Sequence, residues 1–532
     1  MKKKYAFLFL MLFSVGSVFS QWVEFSDESD TRIIVSNVND NTNSSLQDDM
    51  EKDLLIGDFN NDSFTDLIVV RKVPFSTPGG KTDLLFINDN GVLVDMTDVY
   101  APEFLSDNTD SRDVISVDAD GDGWLDLFVV NTFQDQPKLF MNQGEDSNGD
   151  WLGFVDESAT RLPTVTVSII QYCAGWSGDL TGNGAPDLYM VNYDPSGLAL
   201  DVLFINDGNG NFTEETDARM GDLRNSSFGT GVEFHDVDND NDLDIVKNIG
   251  LGAVAPFNVQ GTLALFNNGD GTFTNWFKLP GPTTYMFTAG DLNDDGMLDF
   301  YEVDDGQDYV NFITDMQPDL DLTIDQQFLN SDRTDVWGGN VKMVDIDGDG
   351  DLDVTVASVD TDEPPCDTSV DIGQAGGVRI FAMFENEGLF SGNLIDPYDG
   401  NDQDWHISNY DQDFIDINND GLMDMIIGAC EDYKIFVQNP PLSVNDESIN
   451  QLISVSPNPS DGRINIHLDA TSISSLTIDV YNVTGKLVET FSEETLLSNS
   501  IKIDARNSTS SGIYFLKMTT EKGITTQKII IE

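Results

Sequence analysis

The stretch Asp345-Ile346-Asp347-Gly348-Asp349-Gly350-Asp351-Leu352-Asp353 places carboxylates at its first, third, fifth and ninth positions and a glycine at its sixth. Alternate residues of a tight loop can turn their side chains toward one centre, and glycine permits the positive φ that wraps the backbone there. A hard cation such as Ca²⁺ takes about 6 to 8 oxygens at about 2.3 to 2.6 Å, which such a loop supplies from carboxylates, a backbone carbonyl and water. The loop lacks the closing glutamate of an EF-hand. Its flanks, Val341-Lys342-Met343-Val344 and Val354-Thr355-Val356-Ala357, read as strands rather than helices.

Working outward, the pattern recurs from Asp58, Asp118, Asp179, Asp236, Asp291, Asp345 and Asp416, at separations of 60, 61, 57, 55, 54 and 71 residues. Loops 2, 4 and 6 carry four carboxylates each: Asp118, Asp120, Asp122 and Asp126; Asp236, Asp238, Asp240 and Asp244; Asp345, Asp347, Asp349 and Asp353. Loops 1, 5 and 7 carry three and an asparagine: Asp58, Asn60, Asp62 and Asp66; Asp291, Asn293, Asp295 and Asp299; Asp416, Asn418, Asp420 and Asp424. Loop 3 is the weakest candidate, with only Asp179 and Asp187 as acids around Thr181 and Asn183, and Ser63 and Asn241 stand where the sixth-position glycine is usual. The sequence therefore predicts up to one Ca²⁺ per repeat at these residues. Asp and Asn making solvated turns without a metal is the alternative.

A second element follows several loops, as in Val202-Leu203-Phe204-Ile205-Asn206-Asp207-Gly208-Asn209-Gly210-Asn211-Phe212 and Leu263-Ala264-Leu265-Phe266-Asn267-Asn268-Gly269-Asp270-Gly271-Thr272-Phe273. Strand, Asn/Gly turn, strand is a hairpin signal. Two hairpins per repeat make four strands, the content of a propeller blade. Phe25-Ser26-Asp27-Glu28-Ser29 resembles the blade endings Phe154-Val155-Asp156-Glu157-Ser158 and Phe212-Thr213-Glu214-Glu215-Thr216, while the last repeat stops at Pro440-Pro441 without a final strand. The N-terminal strand is thus expected to complete the last blade and hide the open edges. The fold expected is all-β: a seven-bladed β-propeller over 21–439, a linker over 440–451 and a small β-sandwich over 452–532, where Ile464, Ile466 and Leu468 alternate with polar residues.

The chain carries 26 basic and 94 acidic residues, a net charge of −68. Nucleic acid and anionic membrane surfaces are held through Lys and Arg, so this balance argues against both. Residues 21–451 hold 16 basic and 85 acidic residues, while 452–532 hold 7 and 9, an asymmetry that marks two domains. Residues 1–20 open with Lys2-Lys3-Lys4, continue through an apolar run and end at Val18-Phe19-Ser20, the plan of a secretory signal peptide. No apolar run approaches the ~20 residues of a membrane span. Cys173, Cys366 and Cys430 are too few and too scattered for a disulfide framework or a zinc cluster.

The seven loops and their hairpins, with a literal Phe228-Gly229 ahead of loop 4, resemble the FG-GAP or VCBS repeats of integrin-α-like propellers. The C-terminal segment is similar to a type A sorting domain of the type IX secretion system, through Pro457-Asn458-Pro459, Tyr481-Asn482, Gly485 and Gly512-Ile513-Tyr514. The resemblance implies passage through the outer membrane by that machinery, removal of the sorting domain, and a propeller secreted or attached to the cell surface.

No nucleophile motif, zinc signature or phosphate loop is present, and His235, His406 and His467 have no neighbours that complete a catalytic set. The expectation is a calcium-binding module that binds a protein or glycan outside the cell. A polysaccharide-active enzyme, lyase or hydrolase, is the alternative, because acidic pairs suited to glycoside hydrolysis look like calcium ligands in sequence. The long interval 353–416, with Glu363-Pro364-Pro365-Cys366, Tyr398, Trp405, His406 and Tyr410, is the candidate ligand surface.

Overall fold

The computed structural model describes residues 23–36, 50–73, 78–196, 198–250, 254–303, 308–316, 322–328, 336–360, 382–386, 393–395, 409–429, 433–440, 453–460, 462–468, 476–482, 486–493, 500–506, 511–520 and 523–531. The signal peptide, nearly all of the linker, and Glu363 to Cys366, Tyr398, Trp405, His406 and Cys430 lie outside the described residues. Among the described residues no helix is long and apolar enough to cross a membrane.

The chain divides into two compact units, 25–438 and 439–532 with 1–24. Among the described residues the larger holds a series of seven sheets, each begun by a first strand that leads into one acidic loop, and a small two-stranded sheet of Ala199–Leu200 and Asn225–Ser226. Sheet 1 runs Glu51–Gly57, Asp66–Lys72, Leu84–Asn88 and Leu93–Asp95, with Ile33–Ile34 added in parallel at its edge. Sheets 2, 3 and 4 begin at Ser111–Val117, Tyr172–Gly178 and Val232–His235. Sheets 5, 6 and 7 begin at Met286–Gly290, Val336–Val344 and Asn409–Ile415. Sheets 2 to 6 each place their four strands in chain order. Sheet 7 has three strands of its own, and its fourth is the N-terminal Glu24–Asp27, which pairs with Tyr433–Asn439. Glu28 donates its N–H to the Ile435 carbonyl, and the Ser29 hydroxyl accepts the Ile435 N–H, so the two ends of the unit are tied together.

The second strands explain how the sheets pack. Asp66–Lys72 is buried at every position, as a strand covered on both faces must be. Leu67 and Val69 join a core with Ile415, Ile426 and Ile435 of sheet 7, while Ile68 and Val70 join another with Val114, Leu127 and Phe140 of sheet 2. The period of two in side-chain direction thus sends alternate residues into different cores. The same division recurs between sheets 2 and 3, 3 and 4, 4 and 5, and 5 and 6.

In the smaller unit, Ile453–Ser456, Arg463–Leu468 and Ser500–Asp504 form one sheet. Leu476–Asn482, Leu487–Glu493, Gly512–Thr520 and Gly523–Ile531 form the other. Ile464, Ile466 and Ile503 from the first meet Ile478, Val480, Leu516 and Ile529 from the second in one core.

Candidate metal-binding loops

All seven loops wrap in one way. The fourth and sixth positions take left-handed backbone throughout, with φ of +56° and +73° at Asn61 and Ser63, +74° and +89° at Gly121 and Gly123, and +58° and +73° at Asn239 and Asn241. Gly182 and Gly184, Asp294 and Gly296, Gly348 and Gly350, and Asn419 and Gly421 complete the set. This explains the Gly, Asn and Asp at these places, since other side chains resist that region. Ser63 is the costly exception.

The first-position carboxylates accept backbone N–H groups from across the turn: Asp58 from Asp62 and Ser63, Asp179 from Asn183 and Gly184, Asp416 from Asp420 and Gly421. Fifth-position residues accept from two residues on, as Asp122 does from Trp124 and Asn183 from Ala185. In loops 1, 5 and 7 the third-position Asn60, Asn293 and Asn418 accept the fifth-position N–H.

The ninth-position aspartates are brackets as well as candidate ligands. One oxygen of Asp66, Asp126, Asp187, Asp244, Asp299, Asp353 and Asp424 accepts the N–H of the loop's second residue. The other accepts an N–H from the third strand or the residue just after it. All seven are buried, and burial pushes their carboxyls up, to about 7 at Asp66, Asp126, Asp244, Asp299 and Asp353 and about 6 at Asp187 and Asp424. Each carboxylate oxygen has two lone pairs, so the brackets keep acceptor capacity for a cation.

Three loops bring acids together closely. Oxygens of Asp118, Asp120 and Asp122, of Asp236, Asp238 and Asp244, and of Asp345, Asp347 and Asp353 lie within 4.8 Å of one another. Burial first, and then the neighbouring Asp122, Asp240 and Asp349 carboxylates, raise Asp120, Asp238 and Asp347. Asp118 Oδ1, Asp120 Oδ1, Thr181 Oγ1 and Asp238 Oδ1 are buried without a hydrogen-bond partner among the described residues. Oxygen atoms orphaned in this way, converging with like charges, fit a hard, oxygen-seeking cation. The Thr181 hydroxyl gives loop 3 the same feature despite its two acids.

Two sets of residues that tie one sheet to the next are hidden in what reads as turn sequence. The asparagine ending the third strand, or just after it, donates Nδ2 to a loop carbonyl of the preceding sheet, Asn142 to Phe59, Asn206 to Ala119, Asn267 to Leu180 and Asn386 to Leu292, and Asn88 of sheet 1 donates in the same way to Ile417 of sheet 7. Ile313 and Gln438 stand at this place in sheets 5 and 7. The second set is Arg32, Arg161 and Arg219, each paired with a glutamate four residues back and donating Nη1 to a turn carbonyl of the following sheet, at Gly91, Asn209 and Asp270. Arg161 also lies 3.6 Å from Asp120 of loop 2.

The first strands of all seven sheets line one cavity of roughly 550 Å³. On these strands Asp411, Asp53 and Asp113 each accept an N–H from the neighbouring first strand, at Leu54, Val114 and Gly175. Lys342 pairs with Asp413 at 3.3 Å, and Asn340 donates to Asp53. Arg112 donates Nε to Cys173 Sγ at 3.0 Å and lies 3.6 Å from Glu51. Tyr410, from the candidate ligand interval, is buried against this cavity, and His235 is held by Glu233 at 2.6 Å.

Residues 179–246, from loop 3 through loop 4, match the FG-GAP-like repeat, and 454–532 match the secretion system C-terminal sorting domain. The chain carries an FG-GAP-like repeat and ends in a type IX secretion sorting domain. Such a domain marks a chain for the type IX machinery, and so for the medium or the outer surface. Among solved structures, the biofilm matrix protein Bap1 of V. cholerae is 12% identical, with 80% of this chain and 67% of that one covered at a TM-score of 0.31. Fructofuranosidase from Schwanniomyces occidentalis complexed with fructose is 8% identical, with 91% and 89% covered at a TM-score of 0.29. Dimeric latent PorU from Porphyromonas gingivalis is 11% identical, with 72% and 36% covered at 0.13. Likenesses at these scores carry no argument here. A search of curated proteins finds no match.

Proposed function

We propose that the chain is an exported, calcium-stabilised binding module: seven sheets as the blades of a closed β-propeller, a C-terminal β-sandwich as the sorting domain, and a protein or glycan outside the cell as ligand. The closure rests on the N-terminal strand in sheet 7, the Asn88 bond to Ile417 and the shared lining of one cavity by all seven first strands.

The observation that carries the calcium part is the set of buried, unpartnered oxygens at Asp118, Asp120, Thr181 and Asp238. The first-, third-, fifth- and ninth-position residues of the seven loops would hold the ions, with loops 2, 4 and 6 strongest. A bound cation supplies the positive charge that lets these carboxylates sit together, so binding becomes folding free energy. One site at a hundredfold excess over Kd contributes about 2.7 kcal/mol. Calcium added to the chelated chain is expected to raise its Tm at constant pH. An unchanged Tm would remove the calcium part of this reading.

A further inference from the structure

We propose that the cavity enclosed by the seven first strands binds the neutral sugar end of a glycan, with Trp176 as stacking platform and Asp53, Asp113 and Asn340 as hydrogen-bonding partners. The inference rests on the binding-module reading above and assigns its ligand class and place.

Trp176 is the only aromatic side chain among the exposed large hydrophobic residues described, at 37% exposure, and it opens onto this cavity. An indole face left in water inside a concavity is unusual, because burying it would be favourable, and the apolar C–H face of a pyranose is a natural cover for it. The Asp113 carboxylate, also in the cavity lining, accepts the N–H of Gly175, the residue before Trp176 in sequence. Asp53 accepts from Val114 and from Asn340, so its position is fixed from two sheets. Asp53 and Asp113 also hydrogen-bond each other, and the pair, held in place by backbone N–H groups, retains lone pairs for ligand hydroxyls.

The charges in the wall select against ions. Arg112 is engaged by Glu51 and Cys173, so a ligand carboxylate or phosphate would have to displace an existing pair to reach the guanidinium. A cationic ligand would compete with Lys342, whose ammonium is bonded to Asp413 and faces Asp53 and Asp411. A neutral polyol meets neither cost. The volume, roughly 550 Å³, lies within the ~300 to 1,000 Å³ of small-ligand pockets and suits a chain terminus rather than a folded partner.

The test is calorimetric titration of the full, calcium-loaded chain with neutral hexose and N-acetylhexosamine oligosaccharides and, in parallel, uronate oligosaccharides. Saturable binding of at least one neutral oligosaccharide is expected, with Trp176→Ala lowering affinity at least tenfold at unchanged Tm and Trp176→Phe retaining affinity within about threefold. No binding across the neutral panel, tighter binding of uronates, or wild-type affinity in Trp176→Ala would overturn it. A chain that binds no sugar yet still gains Tm from calcium would sink this inference alone and leave the module reading standing.

Discussion

Replacing Asn142 by alanine tests the way one sheet is tied to the next. The side chain donates Nδ2 to the Phe59 carbonyl of sheet 1 at 2.8 Å and to Leu125 of its own loop at 3.2 Å. Its Oδ1 accepts from Gly144 at 3.1 Å and from the Trp151 indole at 2.8 Å. Asn142 and Phe59 are buried, so the Phe59 carbonyl is left without a partner and bears the full penalty of about 1 to 3 kcal/mol. Leu125 and Trp151 are only partly buried, so water restores much of what they lose. The sum expected is about 2 to 4 kcal/mol, read as a lower urea midpoint with unchanged slope in saturating calcium. Asn142→Asp keeps the shape but sets a carboxylate against the Phe59 carbonyl, and is expected to cost at least as much. A loss below about 0.5 kcal/mol in Asn142→Ala would show that this side chain does not tie sheet 2 to sheet 1.

Ser63 holds φ +73° where other loops have glycine or asparagine, so Ser63→Gly is expected to stabilise the chain by about 0.5 to 1 kcal/mol, measured as a higher urea midpoint. A lower midpoint would show that the serine side chain is needed there. The bracket aspartates predict a pH dependence of the chelated chain. Their folded carboxyls titrate near 6 to 7 and unfolded ones near about 3.9, so the folded state binds more protons between those values. The stability these groups contribute is therefore full below about pH 4 and is lost as pH rises through about 7. Thermal melts in chelator from pH 4 to 8 should show Tm falling, and calcium should flatten the fall at its upper end; a Tm rising over this range would contradict the assignment.

The repeat was legible in sequence because the acidic loop is local: nine consecutive residues carry their own turn chemistry, and seven copies set the number of sheets. The ninth-position aspartate was legible as an acid but not in its bracket role, since one of its two partners, such as Asn88 for Asp66, lies in or just after the third strand. Asn206 and Asn267 read as turn formers because the turn is the only context sequence offers; that they reach the preceding sheet depends on packing. A signal did exist, in the asparagine that recurs at the end of the third strand ahead of a glycine. The Glu-x-x-x-Arg spacing of Arg32, Arg161 and Arg219 was likewise present in the sequence. The cavity left no local trace at all: Trp176, Asp53 and Asn340 come together only when strands far apart in sequence line one space.

The most direct measurement is the number of calcium ions held per chain, counted by equilibrium dialysis with metal analysis after exhaustive chelation and reloading. At least the three ions of the acid clusters in loops 2, 4 and 6 are expected, rising toward seven, with one ion lost in Asp120→Ala. A wild-type chain that holds no calcium, or an Asp120→Ala chain that holds as much as wild type, would contradict it.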